Sequence, residues 1–367
     1  MKIKIPFEKL KKEINKASLA CMKTGQNTTL KSIFFKTEIN SLVIRATNID
    51  IGYESVVVTE VEREGEFSIL GDVISRLLNT VNVKGSAICT LEYANNKLSI
   101  SVDTHSFTLK TTDSTGFPKL PNVEGEEFAI DSNLFLNGMK SVVFSVAKSE
   151  LKPEISGVYI SLKNDSVVFV ATDAYRLCER KIKIEGADFA ETKCIIPEKN
   201  VKDIIRLFEE YEKKEIKVTL SKSSLLLQVD NTFLVSRLIE GNFPNYVQII
   251  PTDPVSFAVF LKEDLVKSLK IVSFFGDKTS QINLAVETDK SIMSATSVDI
   301  GDTKEEVATT LKGEGFQIKV NSKYLEEFLQ IISDQSVMLK YTAQNKAMIA
   351  QGINDSSYTY LLMPSYR

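Results

Sequence analysis

A threonine-led tetrad recurs three times in this chain at a nearly constant period. Thr47-Asn48-Ile49-Asp50 follows the apolar run Leu42-Val43-Ile44, and Thr172-Asp173-Ala174-Tyr175 follows Val167-Val168-Phe169-Val170. Thr296-Ser297-Val298-Asp299 follows a third, weaker run. The threonines stand 125 and 124 residues apart (47 to 172 to 296). Such a period predicts three copies of one domain, each large enough to bury its own core. A chain of 367 residues accommodates three copies of that size and little else.

The pattern around the tetrads repeats as well. Met1 to Ile5 alternates like a strand, and Phe7, Leu10, Ile14, Ala17 and Cys21 then recur at helical spacing. Phe128 to Ile130 followed by Leu134, Met139, Val142, Val143 and Val146 repeats this, as does Val255 to Phe260 followed by Leu265, Leu269 and Val272. Each copy has a second strand-helix pair, with helices centred on Ile74-Leu78, Ile204-Phe208 and Leu325-Leu329. Asp72, Asp131 and Asn321 stand close to helix starts and are expected to cap them. Alternating runs around Asp103-Thr104-His105, Asp230-Asn231 and Asn354-Asp355-Ser356 predict hairpins. The paired prolines of Phe117-Pro118-Lys119-Leu120-Pro121, and Phe243-Pro244 with Pro251 and Pro254, mark extended connectors. The expected domains are 1–122, 123–252 and 253–367, each α+β with two helices packed on antiparallel sheets.

Composition narrows the function. One histidine and four cysteines without C-x-x-C spacing make a structural zinc site improbable, so free thiols in a reducing cytoplasm are expected. No run is long and apolar enough to span a bilayer, and no membrane association is expected. The charged start Met1-Lys2-Ile3-Lys4-Ile5-Pro6 reads as a first strand rather than a signal peptide. Motifs for a nucleophile, a phosphate loop or a zinc protease are absent, so no catalytic residue, metal or cofactor is nominated. A net charge of −3 means that any contact with nucleic acid is confined to one surface. The predicted helices supply a candidate: Lys9, Lys12 and Lys16 share the outward face of the first, and other helices carry Lys199, Lys202, Arg206, Lys267 and Lys270. Repeated three times, a weak basic bias becomes a surface suited to phosphates without sequence preference.

The runs Thr172-Asp173-Ala174-Tyr175-Arg176-Leu177, Glu240-Gly241-Asn242-Phe243-Pro244-Asn245-Tyr246 and Tyr360-Leu361-Leu362-Met363-Pro364 resemble those of the bacterial DNA sliding clamps, the beta subunits of DNA polymerase III. The resemblance covers the whole chain. It implies three tandem clamp domains, ring-forming: a head-to-tail homodimer of six domains, with twelve helices around a hole that holds double-stranded DNA by topology. The activity implied is non-catalytic. The ring would tether the replicative DNA polymerase alpha subunit and other clamp-binding-motif proteins after being placed by a clamp loader.

The resemblance also implies a pocket for short peptides. It would comprise Ile155, Thr172, Ala174, Tyr175, Arg176, Leu177, Pro244, Gln248, Ile249, Asn321, Tyr324, Leu361, Leu362, Met363, Pro364 and Ser365. An apolar floor of Leu177, Leu362 and Pro364 is expected, with Tyr175 and Met363 as the rim. Arg176 has no counterpart in the other copies, which favours a functional role for it. Ala174-Tyr175 departs from the Gly/Ser-His of the family motif, and Gln248 and Tyr366 stand where some members have Arg. The implied DNA contacts are Lys23, Gln26, Lys148, Lys152 and Lys199. The implied dimer contact joins Phe107 and Leu109 to Ile271, Val272 and Phe275. The alternatives are an enzyme with a carboxylate site and a clamp-like interaction scaffold that has lost DNA loading.

Overall fold

The structure is a computed structural model that describes residues 1–83, 85–149, 151–211, 213–276 and 279–365. Six α-helices occur among these residues: α1 (Phe7–Leu19), α2 (Gly71–Thr80), α3 (Ser132–Lys140), α4 (Glu198–Phe208), α5 (Lys262–Phe274) and α6 (Ser322–Ile331). They fall two to a copy. The chain divides into two compact units, Met1–Leu136 with Lys199–Leu238, and Asn137–Glu198 with Ile239–Arg367. The second copy thus contributes to both units.

In the first unit, five strands lie in the order Glu60–Arg63, Lys2–Pro6, Ile88–Ala94, Lys97–Val102, His105–Lys110. Eight more lie in the order Glu126–Asp131, Glu215–Leu220, Ser224–Val229, Thr232–Arg237, Ile51–Val58, Ser41–Thr47, Ser32–Glu38, Glu66–Leu70. In the second unit, nine strands run Phe189–Pro197, Gly157–Asn164, Ser166–Thr172, Arg176–Lys183, Tyr358–Leu362, Met348–Gly352, Ser336–Tyr341, Ser256–Leu261, Thr310–Lys312. The last four run Gly301–Ala308, Lys290–Ser297, Gln281–Val286, Phe316–Asn321. The larger sheets join one copy to the next. Thr232–Arg237 pairs antiparallel with Ile51–Val58, and Tyr358–Leu362 with Arg176–Lys183.

Local sequence explains the elements. Met1, Ile3 and Ile5 are buried while Lys2 and Lys4 between them are not, which is the two-residue period of a strand. Helix α1 buries Phe7, Leu10, Ile14 and Ala17 at three- and four-residue spacing. Two of the three expected caps form: Asn321 Oδ1 accepts from Lys323 N at 2.9 Å, and Asp131 Oδ1 accepts from Asn133 N and Leu134 N at 2.9 and 3.1 Å. Asp72 instead lies inside the first turn of α2 and pairs with Arg76 four residues on. Lys16 is also not on the outer face of α1. It is buried and pairs with Glu13 and Glu210, and its ammonium donates to Tyr211 Oη at 2.8 Å. Glu13 in turn accepts from the buried Tyr53 Oη at 2.7 Å, so the charge is balanced inside the first unit.

The threonine tetrads of the first two copies are one turn built twice. Thr47 Oγ1 donates to Ile51 O at 2.9 Å, and Thr172 Oγ1 donates to Arg176 O at 2.6 Å. Asn48 Oδ1 accepts from the amides of Asp50 and Ile51, and Asp173 Oδ1 from those of Tyr175 and Arg176, at 3.0 to 3.1 Å. The third residue is left-handed in both, Ile49 at φ +84° and Ala174 at φ +76°. The third copy closes differently, with Gly301 at φ +122° and Val298 fully exposed.

Candidate functional site

The second unit holds a groove of about 540 Å³ over the face where the second and third copies share a sheet. Leu177 pairs across Leu361, and Leu361 across Ile349, so three adjacent strands set one apolar row on one face. Val170 and Ala347 complete this buried cluster, and Tyr159, Val168, Phe243, Tyr246 and Ile250 pack against it. The turn Thr172–Arg176 closes one end. Met363 N donates to Tyr175 O at 2.9 Å, which fixes Met363 beside that turn.

The connector between the second and third copies forms the facing wall. Phe243 stacks on Tyr159 with ring centroids 4.7 Å apart, and Tyr246 meets the same ring edge-on. Tyr246 Oη donates to Glu179 Oε2 at 2.6 Å. Burial beside that carboxylate raises the Tyr246 hydroxyl well above the usual phenol range. Directly after Tyr246 the chain makes a single 3-10 turn, Val247–Ile249, which lays Val247, Gln248 and Ile249 along the groove.

Eight of the implied pocket residues line this groove: Thr172, Ala174, Arg176, Leu177, Gln248, Ile249, Leu361 and Met363. The others stand elsewhere. Ile155 is buried in the 3-10 turn Pro153–Ile155. Tyr175 is 66% exposed, and Pro244 is exposed ahead of the wall. Asn321 caps α6, and Tyr324 lies under the Arg176 guanidinium at 4.3 Å. Pro364 and Ser365 line a separate hollow of about 320 Å³ with Asn283, Gln317 and Gln344. Tyr366 lies outside the described residues.

The floor of the groove differs from the expectation. Leu361, not Leu362, forms the floor, because neighbouring strand residues point to opposite faces, and Leu362 is buried outside the cluster beneath the groove. Arg176 touches the groove, but its guanidinium is committed elsewhere. It pairs with Asp173 at 2.9 Å and with Glu327, donates to Phe144 O at 2.8 Å, and lies over the Phe144 and Tyr324 rings. It lines the groove and at the same time ties the turn to α6.

Val247, Ile250, Pro251, Thr252, Asn345, Lys346 and Ala347 also line the groove and were not expected there. The apolar stretch after Tyr246 was a readable signal. Nothing local marks the turn Ala343–Lys346, which is brought there by the pairing of Met348–Gly352 with Tyr358–Leu362.

Among the implied DNA contacts, Lys23 and Lys199 are brought together. Both lie close enough to the buried Asp203 to act on its carboxyl, as does Arg206; burial nonetheless leaves that carboxyl above its ordinary value. Lys23 Nζ also donates to Ser18 O at the end of α1, at 2.8 Å. Gln26 is exposed beyond it, and Lys148 and Lys152 are exposed in the second unit. At the implied dimer contact, Phe107 and Leu109 are half-buried on the edge strand His105–Lys110. Val272 is fully buried in the core row Leu265, Leu269, Val272, so it presents no surface. Ile271 and Phe274 are the exposed apolar residues of α5, with Phe275 partly exposed beyond it. No group of three His, Cys, Asp or Glu able to hold a metal occurs among the described residues. No helix among them is long and apolar enough to cross a membrane.

The family model for the DNA polymerase III beta subunit central domain matches residues 129–245, and that for its C-terminal domain matches residues 247–366. The beta sliding clamp of Treponema pallidum is 26% identical, over 99% of each chain. That of Synechococcus elongatus is 24% identical over 88% of this chain and 87% of the relative. In structure, the chain is similar to the DNA polymerase III beta subunit of Thermotoga maritima, with a TM-score of 0.93, 24% identity, and 100% and 99% of the two chains covered. It is similar also to a Pseudomonas aeruginosa sliding clamp bound to griselimycin, with a TM-score of 0.95, 19% identity and both chains covered in full. Two models of one family spanning the second and third copies, with relatives matched end to end, show that the chain belongs to the bacterial DNA polymerase III beta subunits, the beta sliding clamps.

Proposed function

We propose that this chain acts as a DNA sliding clamp. Three domains, 1–122, 123–252 and 253–367, would build half of a ring, and two copies would close around duplex DNA without sequence preference. The ring would be non-catalytic and cytoplasmic, would be placed by a clamp loader, and would tether the replicative polymerase. The groove over Leu177 and Leu361 would hold an apolar peptide segment of such partners.

One observation carries this reading, and it concerns unfinished sheets. Where one copy meets the next, the last hairpin strand of one pairs with the strand that follows the tetrad of the other. The third residues of the two strands lie opposite: Leu234 with Tyr53, and Tyr360 with Cys178. The first copy's last hairpin strand, His105–Lys110, and the third copy's Gly301–Ala308 are both sheet edges. Joining them across two chains would add five strands to four and reproduce the nine-stranded order of the second unit. Phe107 would then lie opposite Thr303 of a second copy. Such a head-to-tail contact closes a ring when its rotation divides a full turn. It would also cover two strand edges that otherwise invite aggregation.

The test is to load the protein onto nicked circular DNA with its loader and then linearise the DNA. A topologically held ring slides off the ends. Retention on linear DNA would show binding by affinity, and failure to load would favour an interaction scaffold.

A further inference from the structure

We propose that the joint between the first and second copies holds a second, closed apolar peptide site, and that Leu120 of the chain's own connector is the ligand that closes it. The site lies wholly in the first unit and is distinct from the groove over Leu177 and Leu361.

The repeat lays out the face. Phe34, Gly52 and Glu54 stand 125 residues before Tyr159, Leu177 and Glu179. Phe117 and Leu120 stand 126 residues before Phe243 and Tyr246. The strand pairings correspond as well. Gly52 lies opposite Val235 and Val235 opposite Leu226, as Leu177 lies opposite Leu361 and Leu361 opposite Ile349. Phe117 stacks on Phe34 with ring centroids 5.1 Å apart, as Phe243 does on Tyr159. The first joint therefore has the frame of the groove.

Its occupant differs. Where the second copy has Leu177, the first has Gly52, and the connector residue matching Tyr246 is Leu120. Tyr246 is drawn to Glu179 by its hydroxyl, whereas Glu54 is already taken by Arg45, whose Nε donates to it at 2.6 Å. Leu120 settles instead in the notch above Gly52: a Cβ at position 52 would stand 2.5 Å from Leu120 Cδ2. Gly52 is buried within the strand Ile51–Val58 and is not left-handed, so its missing side chain provides room rather than backbone freedom. Phe117 is buried and Leu120 partly so, while Pro118, Lys119 and Pro121 are exposed. The segment thus lies on the sheet as a bound peptide does, held by two apolar side chains between extended, proline-stiffened flanks. A partner segment of the same chemistry takes the notch when this strap lifts.

The test uses the full chain and two measurements. The first is thermal melting. Gly52→Leu puts a side chain into the notch and should lower the melting temperature by about 3 °C. In a Leu120→Ala background the same change should cost much less. Equal losses in the two backgrounds would overturn the contact. The second is fluorescence anisotropy with a fluorescein-labelled peptide of the connector itself, Gly-Phe-Pro-Lys-Leu-Pro-Asn-Val, residues 116–123. Phe117→Ser combined with Leu120→Ser removes both anchors of the strap, and that chain should bind the peptide about tenfold more tightly than the wild type does. Adding Gly52→Leu should abolish the gain. No gain in the doubly substituted chain, its fold checked by circular dichroism, or a gain that survives Gly52→Leu, would overturn the inference. A gain removed by Ile249→Glu, on the wall of the other groove, would place the peptide there and overturn the second site as well.

Discussion

The hydroxyl of Tyr246 and the carboxylate of Glu179 meet at 2.6 Å, and this bond ties the connector between the second and third copies to the strand that carries Leu177. Tyr246→Phe keeps the ring against Tyr159 and removes only the donor. It should cost about 1–2 kcal/mol in urea denaturation and weaken peptide binding in the groove. The tyrosine is held protonated in the fold, since its hydroxyl is raised above the ordinary value of 10.0. Its contribution is therefore complete below about pH 10 and is lost as the pH rises further. The alkaline loss of stability should be smaller in Tyr246→Phe, and an identical profile would dismiss the bond as a contributor.

Arg176 should matter chiefly to folding. Removing it leaves the largely buried Asp173 carboxylate without its cation, so Arg176→Met should destabilise the second unit by about 3 kcal/mol. Arg176→Lys should not restore the loss, because one ammonium cannot serve Asp173, Glu327 and Phe144 O in a planar fork. Full rescue by lysine, read from thermal melting, would contradict this.

Ile49 is a β-branched residue at φ +84° and is more than half exposed. Left-handed backbone costs such a residue about 1–2 kcal/mol, more than glycine loses in chain entropy. Ile49→Gly should therefore raise the urea midpoint slightly, by the equivalent of about 0.5–1 kcal/mol. A lower midpoint would mean that the isoleucine side chain stabilises the turn by contacts.

The proposed edge pairing predicts a concentration-dependent dimer. Phe107→Arg places a charge in that joint and should yield monomers in sedimentation at nanomolar concentration. Cysteines introduced at Phe107 and Thr303 should form an intermolecular disulfide in the wild-type background, and a crosslink only at shifted positions would refute the register.

All four thiols are buried, and burial pushes each of them up to about 12. Protonated thiols are poor nucleophiles, so Ellman's reagent should leave the native chain nearly unlabelled at pH 8 and label four groups after unfolding. Their folded values exceed the ordinary 9.0, so their contribution is whole below pH 9 and declines as the pH climbs toward 12.

The sequence by itself determined the threefold plan and the six helices with their core rows and two of their caps. Those features rest on spacing of two, three or four residues and on short polar side chains that bond their own backbone, so a linear string contains them. Leu177 and Met363 were named only through the resemblance of their short motifs to those of the sliding clamps, and both line the groove. Tertiary structure decided the rest. Which of Leu361 and Leu362 forms the floor depends on the register between strands far apart in sequence. Lys16 looked like a surface lysine until Glu13, Glu210 and Tyr211 enclosed it, and the contact of Arg176 with Glu327, 151 residues away, had no mark in the sequence. Lys346 shows no local distinction at all. Its place at the groove follows only from the pairing that brings its turn beside the connector, because long-range contacts, unlike periodicity, leave no mark on neighbouring residues.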